Sequence, residues 1–234
     1  MFIIEVPFLN LNQIYESKQS YRWKKVADNK YFIAYKDNIL LIQQQKDRLC
    51  FICTEEEFYS IWFDYFDMLY DYSEPNYYLR KELKEKAVRC KGLRILQQGF
   101  YEVLIQQACI DRKQFSELVK KCGNKRNNSK QGIKIQWHEF PSVDEILNSK
   151  ENKENIPKQI IDCCKDIKAG IFDGIEDMNL KDALELLCSQ YYLDKEKALN
   201  VCLYGLNKKD GYKGIKYAYK SFLKKVDKKY LLYE

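Results

Sequence analysis

The spacing of apolar residues changes period once along this chain. Between residues 20 and 53 they come in short β-rich runs: Tyr21-Arg22-Trp23, Tyr31-Phe32-Ile33-Ala34-Tyr35, Asn38-Ile39-Leu40-Leu41-Ile42 and Leu49-Cys50-Phe51-Ile52. Ala27-Asp28-Asn29, Lys36-Asp37-Asn38 and Gln45-Lys46-Asp47 separate them with residues that favour tight turns, so the segment predicts an antiparallel meander. After Thr54 the period becomes helical. Thr54-Glu55-Glu56-Glu57 resembles a capping box with acids in the first turn. Phe58, Ile61, Trp62 and Tyr65 follow at helical spacing, and Pro75 opens a further helix to about Cys90.

Gly92-Leu93-Arg94-Ile95-Leu96 is a connector. Phe100 to Leu118 predicts one or two helices, and the glycine-, lysine- and asparagine-rich residues 122–134 predict a loop. In Phe140-Pro141-Ser142-Val143-Asp144-Glu145-Ile146, Ser142 is an N-cap and Glu145 closes a capping box. Lys150–Pro157 is a polar linker. Helical pattern resumes at Lys158, breaks near Gly170–Gly174 and runs again from Asn179 to Cys188, and Lys213–Tyr230 forms a last helix. No internal repeat is visible. The order predicts an α+β fold: an antiparallel β-sheet domain with helices over 1–91, then an all-helical domain over 92–234.

The 234 residues are 46% hydrophobic, enough for a proper core. The 40 Lys+Arg against 34 Asp+Glu give +6, which permits an anionic partner without demanding one. No run reaches the roughly 18 apolar residues of a membrane span. Met1-Phe2-Ile3-Ile4-Glu5 lacks the basic and apolar regions of a signal peptide. The expectation is an intracellular, cytoplasmic protein with no membrane partner. Of nine cysteines, Cys50 and Cys53 form a C-x-x-C inside a strand-like run, with no second pair at zinc spacing and His138 the lone histidine. Zinc needs convergent Cys and His, so reduced structural cysteines are expected, with no metal and no cofactor. Asp111 with Glu117, His138 beside Trp137, and Trp23, Trp62 and Trp137 read more simply as surface or packing residues than as chemistry.

Several local motifs, in order over about residues 9–146, resemble the 8-oxoguanine DNA glycosylase family. Gln19-Ser20-Tyr21-Arg22-Trp23 is similar to its G-Q-S-F-R-W, with Lys18 in place of the glycine. Tyr65-Phe66-Asp67-Met68 through Asp71-Tyr72-Ser73 is similar to F-D-L-x-x-D-Y-S. Gly92-Leu93-Arg94-Ile95-Leu96-Gln97-Gln98, continued by Glu102 and Leu104-Ile105, is similar to G-I-R-I-L-x-Q. Phe140-Pro141-Ser142 is similar to the F-P-T/S turn. The resemblance implies a sheet domain followed by a helix-hairpin-helix domain, acting on damaged DNA.

The same resemblance places the family's chemistry on unsuitable residues. Its Q-N-N-N run, which fills the gap left by a flipped base, falls on Asp111-Arg112-Lys113-Gln114. Its Gly-x-Gly hairpin falls on Tyr192-Leu193-Asp194 and its catalytic lysine on Glu196. Its P-V-D aspartate falls on Ile215 in an ungapped register. If Gly211-Tyr212 to Tyr219 instead matches the family's glycine- and tyrosine-rich C-terminal helix, that segment is deleted. A bifunctional glycosylase needs a neutral lysine amine to form a Schiff base at the sugar, and a carboxylate to stabilise developing charge. A slip would bring Lys195 or Lys197 to the nucleophile position, with Asp194 or Asp210 as acid. The register of Ala198, Val201, Leu203 and Gly205 opposes that slip, and a solvated helix start is the plainer reading of both lysines.

Beside nonspecific nucleic-acid binding by the basic C-terminal helix, two functions therefore stand. One is a catalytically inactive glycosylase-like protein that binds DNA or a protein, as do host-directed inhibitors of phages and mobile elements. The lysine- and asparagine-rich composition fits an AT-rich genome. The other is a divergent active glycosylase and lyase. Binding candidates are Arg112, Lys113, Lys195 and a stripe on the last helix, Lys213, Lys216, Lys220, Lys224 and Lys228. Ile215, Tyr219, Phe222 and Val226 form its apolar face. Like charges at i, i+4 repel, so a stripe kept in spite of this suits phosphates or an acidic protein surface.

Overall fold

The computed structural model describes residues 1–73, 90–130, 133–149, 155–209 and 212–230, with backbone alone at 130, 133, 212, 215 and 225–230. The helix expected from Pro75 and most of the Lys150–Pro157 linker lie outside the described residues. In chain order the elements are β1 (Phe2–Glu5), α1 (Leu11–Ser17), β2 (Trp23–Ala27), β3 (Lys30–Tyr35), β4 (Asn38–Gln45), β5 (Arg48–Phe51) and α2 (Glu55–Glu57). A π-helical turn (Phe58–Trp62) leads into α3 (Phe63–Tyr65). Then come α4 (Phe100–Ala108), α5 (Arg112–Cys122), β6 (Lys125–Lys130), β7 (Ile133–His138), α6 (Val143–Asn148), α7 (Lys158–Lys168), α8 (Leu180–Cys188), α9 (Lys195–Asn200), a second π-helical turn (Val201–Gly205) and α10 (Tyr212–Tyr230).

They gather into two compact units. One comprises Met1–Ile33, Leu40–Gln97 and the chain from Lys209 onward; the other comprises Ala34–Ile39 and Gln98–Lys208. The chain passes between the units at Ile33/Ala34, Ile39/Leu40, Gln97/Gln98 and Lys208/Lys209.

The first unit is built on an antiparallel sheet of order β1-β5-β4-β3-β2. The meander follows the sequence pattern; β1, paired Phe2↔Phe51 to Glu5↔Arg48, adds an edge strand that the pattern did not single out. Asn29, Lys36 and Lys46 take positive φ in the hairpin turns, the twist that two-residue loops require. Thr54 caps α2 by accepting from the Glu57 N–H at 3.0 Å. Phe58, Trp62, Tyr65 and Phe66, at i, i+4, i+7 and i+8, share one buried face, and Phe66 meets Phe51 of the sheet edge-on at 5.7 Å. Helix α10 belongs to this unit. Its Ala218, Tyr219, Phe222 and Leu223 are buried, and it packs on α1.

Besides Ala34–Ile39 at the β3–β4 turn, the described residues of the second unit form helices and one hairpin. Phe100 to Leu118 resolves into two helices, α4 and α5, and α4 is buried on almost every side. Gly205 lets the second π turn close onto α4: a Cβ there would lie 3.2 Å from the Val103 Cβ and 3.3 Å from the Phe100 Cα. Ser142 and Glu145 form the expected capping box of α6, and Asn179 caps α8. The loop expected over 122–134 is instead largely a β-hairpin, β6 paired with β7 from Lys125↔His138 to Lys130↔Ile133. Its polar strand β6 carries no hydrophobic alternation, which hid it. The legible signal was in β7, where Ile133, Ile135 and Trp137 alternate. Trp137 is buried and donates to the Asn128 side chain across the hairpin at 2.8 Å.

Candidate functional site

In the second unit α8, the turn Ser189–Asp194 and α9 form a helix–turn–helix pair at the place where the sequence resemblance expects a helix-hairpin-helix. A hairpin of this kind grips a phosphate when glycines bring bare backbone N–H groups to a helix start. Here Asp194 has φ −80° and ψ 172°, an ordinary N-cap, and its carboxylate accepts from the Lys197 N–H at 2.8 Å. The donor and the positive end of the helix are thus satisfied by the protein's own negative charge. A phosphate approaching this helix start meets a carboxylate.

Tyr192 is turned inward and buried, and its hydroxyl donates to Asp166 of α7 at 2.8 Å. Burial first, then Cys163 and Asp166, push that phenol well above its usual range. Exposed Tyr191 donates to Asp162 of the same helix at 2.7 Å, a bond that raises its phenol too. Two side chains absent from a glycine hairpin therefore fasten this turn to α7. Leu193, which follows them, is buried.

Glu196 lies exposed in the first turn of α9, where an acid complements the helix dipole. Lys195 is exposed; Lys197 is half-buried and reaches the Cys109 carbonyl at 3.5 Å. That contact brings the start of α5 beside the start of α9. Asp111, at the head of the expected gap-filling run, caps α5 by accepting from the Gln114 N–H at 2.8 Å, and the Gln114 side chain accepts from the Ile110 N–H at 2.9 Å. Both helix starts are closed by their own aspartates. Arg112 is half-buried and Lys113 exposed in the same turn. Asp210 lies outside the described residues. Ile215 sits in the α10 backbone, with its side chain outside the description. On α10, Lys213, Lys220 and Lys224 are exposed and Lys216 is half-buried; the Lys228 side chain is not described.

A third arrangement was not foreseen from sequence. Lys209 and Asp67, both buried in the first unit, form an ion pair with Nζ 2.6 Å from each carboxylate oxygen. Asp67 also accepts from the Tyr72 hydroxyl at 2.7 Å and the Gln97 amide at 2.6 Å, and the Lys209 ammonium lies over the Tyr70 ring. Arg94 donates to the carbonyls of Pro7, Phe8 and Asp67, two of which (Phe8 and Asp67) have positive φ. The Gln19 side chain bridges the Arg94 carbonyl and the Leu96 N–H, and Trp23 donates to the Tyr65 hydroxyl. Most of these groups come from the motif segments of the sequence resemblance and form one buried polar network. Lys209 and the carbonyls of Pro7 and Phe8 stand outside those segments. The Lys209 amine is held against the Asp67 carboxylate.

Among the described residues no group of three or more His, Cys, Asp or Glu could hold a metal, and no helix is long and apolar enough to cross a membrane. All nine cysteines are free thiols.

The fold is similar to that of solved DNA glycosylases. Residues 1–104 match the family model "8-oxoguanine DNA glycosylase, N-terminal domain". The fold superposes on the structure of MBOgg1 in complex with a low-affinity DNA ligand, with TM-score 0.77 and 24% identity over 89% of this chain and 77% of that one. It also superposes on Clostridium acetobutylicum 8-oxoguanine glycosylase/lyase bound to double-stranded DNA containing cytosine opposite 8-oxoG, with TM-score 0.72 and 21% identity over 89% and 80%. The 3-methyladenine DNA-glycosylase from Archaeoglobus fulgidus follows at TM-score 0.67 and 13% identity. No curated protein sequence matches the chain. The chain thus resembles the 8-oxoguanine DNA glycosylase family and shares its α+β fold.

Proposed function

We propose that this chain is a non-catalytic member of the DNA-glycosylase fold that acts by binding a nucleic acid or a protein. The observation that carries the reading is the hairpin. Glu196 stands where the resemblance puts a lysine, and the carboxylate of Asp194 occupies the helix start that would grip a phosphate. Tyr192 and Asp111 support it, since each serves packing or capping where the resemblance implies contact with DNA. The buried polar network around Asp67 and Arg94 is meanwhile in place, so the departures read as a loss of chemistry and not of architecture. A target protein in a host, as for inhibitors carried by phages and mobile elements, is one setting that fits such a scaffold.

The competing reading is an active, divergent 8-oxoguanine glycosylase and lyase using Lys195 or Lys197. Single-turnover incubation with a duplex containing 8-oxoguanine opposite cytosine, with protein in excess, separates the two. The proposal expects no base release and no strand nicking. Release or nicking abolished by Lys195→Gln or Lys197→Gln would overturn it.

A further inference from the structure

The two edges of the first unit's sheet are built differently. On the β2 edge Lys24 and Lys25 are exposed, Lys25 pairs with Asp28 at 3.0 Å, and the ladder shifts register between Lys25 and Ala27. Lysines and irregular pairing keep a sheet edge from recruiting another strand. The β1 edge, Phe2-Ile3-Ile4-Glu5, has neither a lysine nor a register shift. The Val6 N–H donates to the Asp47 carbonyl at 3.3 Å. In the antiparallel ladder Phe2, Ile4 and Val6 therefore bond toward β5, and Ile3 and Glu5 turn their N–H and C=O groups outward. Among the described residues no other main-chain group takes them up. Ile3 is 51% exposed.

Beside this open edge lies a groove of about 530 Å³, with Ile4, Val6, Phe58, Tyr59, Phe63 and Leu69 on its walls. Tyr59 is 55% exposed and Leu69 82%. The frame is fixed in advance. Phe2 packs on Phe58 at 4.6 Å, and Arg94 ties together the carbonyls of Pro7, Phe8 and Asp67. A preformed wall spares a ligand the cost of ordering it. A second copy of the chain fits this edge poorly. Four residues of strand extend about 13 Å, and a contact about 10 Å deep covers on the order of 130 Å² per partner. Specific interfaces bury about 800 Å² per partner. A single extended peptide meets no such demand, because it bonds to the Ile3 and Glu5 main chain and drops alternate side chains into the groove. Its residues beside Ile4 fall on the groove side and suit apolar side chains. Those beside Ile3 and Glu5 fall on the other face. There Glu5 has Arg48 at 2.9 Å on one side and the open edge on the other, and Asp71 adds a carboxylate to the groove. A basic residue next to Glu5 continues the alternation of charge across the strands.

From this we infer that the β1 edge takes up an extended segment of a protein partner in which apolar residues alternate with lysine or arginine. The inference rests on the reading of the chain as a binding protein and names the kind of partner and the place it docks. Its test reads peptide affinity and amide exchange, whereas that reading falls on product formation, so the two can fail separately.

The experiment is fluorescence anisotropy with the full chain and the labelled peptide Lys-Val-Lys-Phe-Lys-Val-Lys, a palindrome that pairs in either strand direction. The control peptide, Lys-Lys-Val-Phe-Val-Lys-Lys, has the same composition and charge without the alternation. The alternating peptide is expected to bind at least about 10-fold more tightly than the control. Ile3→Pro deletes an outward N–H and spares the bonds to β5, and is expected to weaken binding about 10-fold. Tyr59→Ser with Leu69→Ser, both at exposed positions, is expected to weaken it by a similar factor. Circular dichroism confirms that the variants fold. Without any variant, the Ile3 and Glu5 amides are expected to exchange hydrogen more slowly in the complex, read by NMR. Absence of binding at about 1 mM peptide, equal binding of the control, or unchanged exchange at Ile3 and Glu5 would each overturn the inference. So would a concentration-dependent dimer, lost in Ile3→Pro, without peptide binding, which would assign the edge to a second copy.

Discussion

Replacing Lys209 by Met tests the buried network most sharply. The Lys209 and Asp67 side chains are 10% and 2% exposed, and Nζ contacts both carboxylate oxygens at 2.6 Å. The substitution keeps much of the aliphatic stem but leaves a buried carboxylate with only the Tyr72 hydroxyl and the Gln97 amide as partners. Breaking a buried pair from one side typically costs about 3–5 kcal/mol, because the remaining charge stays desolvated and uncompensated. Single-domain stabilities are about 5–15 kcal/mol, so a large part of the unit's stability is at stake. Urea unfolding followed by circular dichroism reads the loss as a lowered midpoint. The double variant Asp67→Leu with Lys209→Met removes both charges and is expected to recover most of the loss. A single-variant cost below about 1 kcal/mol, or a double variant no better than the single one, would refute the assignment of this pair as a desolvated bond.

Other consequences follow from particular residues. Gly92→Ala is expected to destabilise by about 1–3 kcal/mol, since its Cβ would lie 2.3 Å from the Asn10 Cβ and 2.7 Å from the Asn10 backbone nitrogen; an unchanged urea midpoint would contradict this. Lys18→Gly is expected to stabilise by up to about 1 kcal/mol, because Lys18 is exposed and holds φ 57° at the end of α1; a lowered midpoint would count against it. Asp194→Ala should cost about 1 kcal/mol as a lost N-cap, read by the same titration. The thiols of Cys109 and Cys164 are pushed up to about 12 and that of Cys202 to about 11, mainly by burial. Each is neutral when folded, whereas an unfolded thiol ionises near pH ~8.5. A raised folded value gives stability that is complete below the unfolded value and lost as pH rises toward the folded one. Stability should therefore decline above about pH 8.5, by up to about 1.4 kcal/mol per pH unit per thiol, and Cys202→Ala should flatten the decline. Equal urea midpoints at pH 7.5 and 9.5 would contradict it.

Where one face of an element is buried and the other wet, the sequence displayed the fold. The strands of 23–51, the Phe58–Tyr65 face and the Ser142 capping box were legible because period and capping chemistry are local. The β6–β7 hairpin was not, since it is held mainly by backbone pairing and by polar cross-strand bonds such as Asn127–Gln136. The candidate site was legible as a set of departures, Tyr192, Asp194 and Glu196, but not in what those residues do. That Asp194 caps its own helix, and that Tyr192 reaches back to Asp166, depends on a turn whose partner helix lies 26 residues earlier. Lys209 and Asp67, 142 residues apart, carry no periodic signal, and only the assembled unit brings them together.

The central claim, a glycosylase architecture without glycosylase chemistry, is tested most directly by borohydride trapping. A lyase passes through a Schiff base between an amine and the sugar, which borohydride reduces to a permanent protein–DNA adduct. With the full chain in excess over duplexes carrying 8-oxoguanine or an abasic site, no adduct above that of an unrelated lysine-rich protein is expected. An adduct that forms in stoichiometric yield and vanishes on substitution of a single lysine, Lys195, Lys197 or Lys209, would contradict the account.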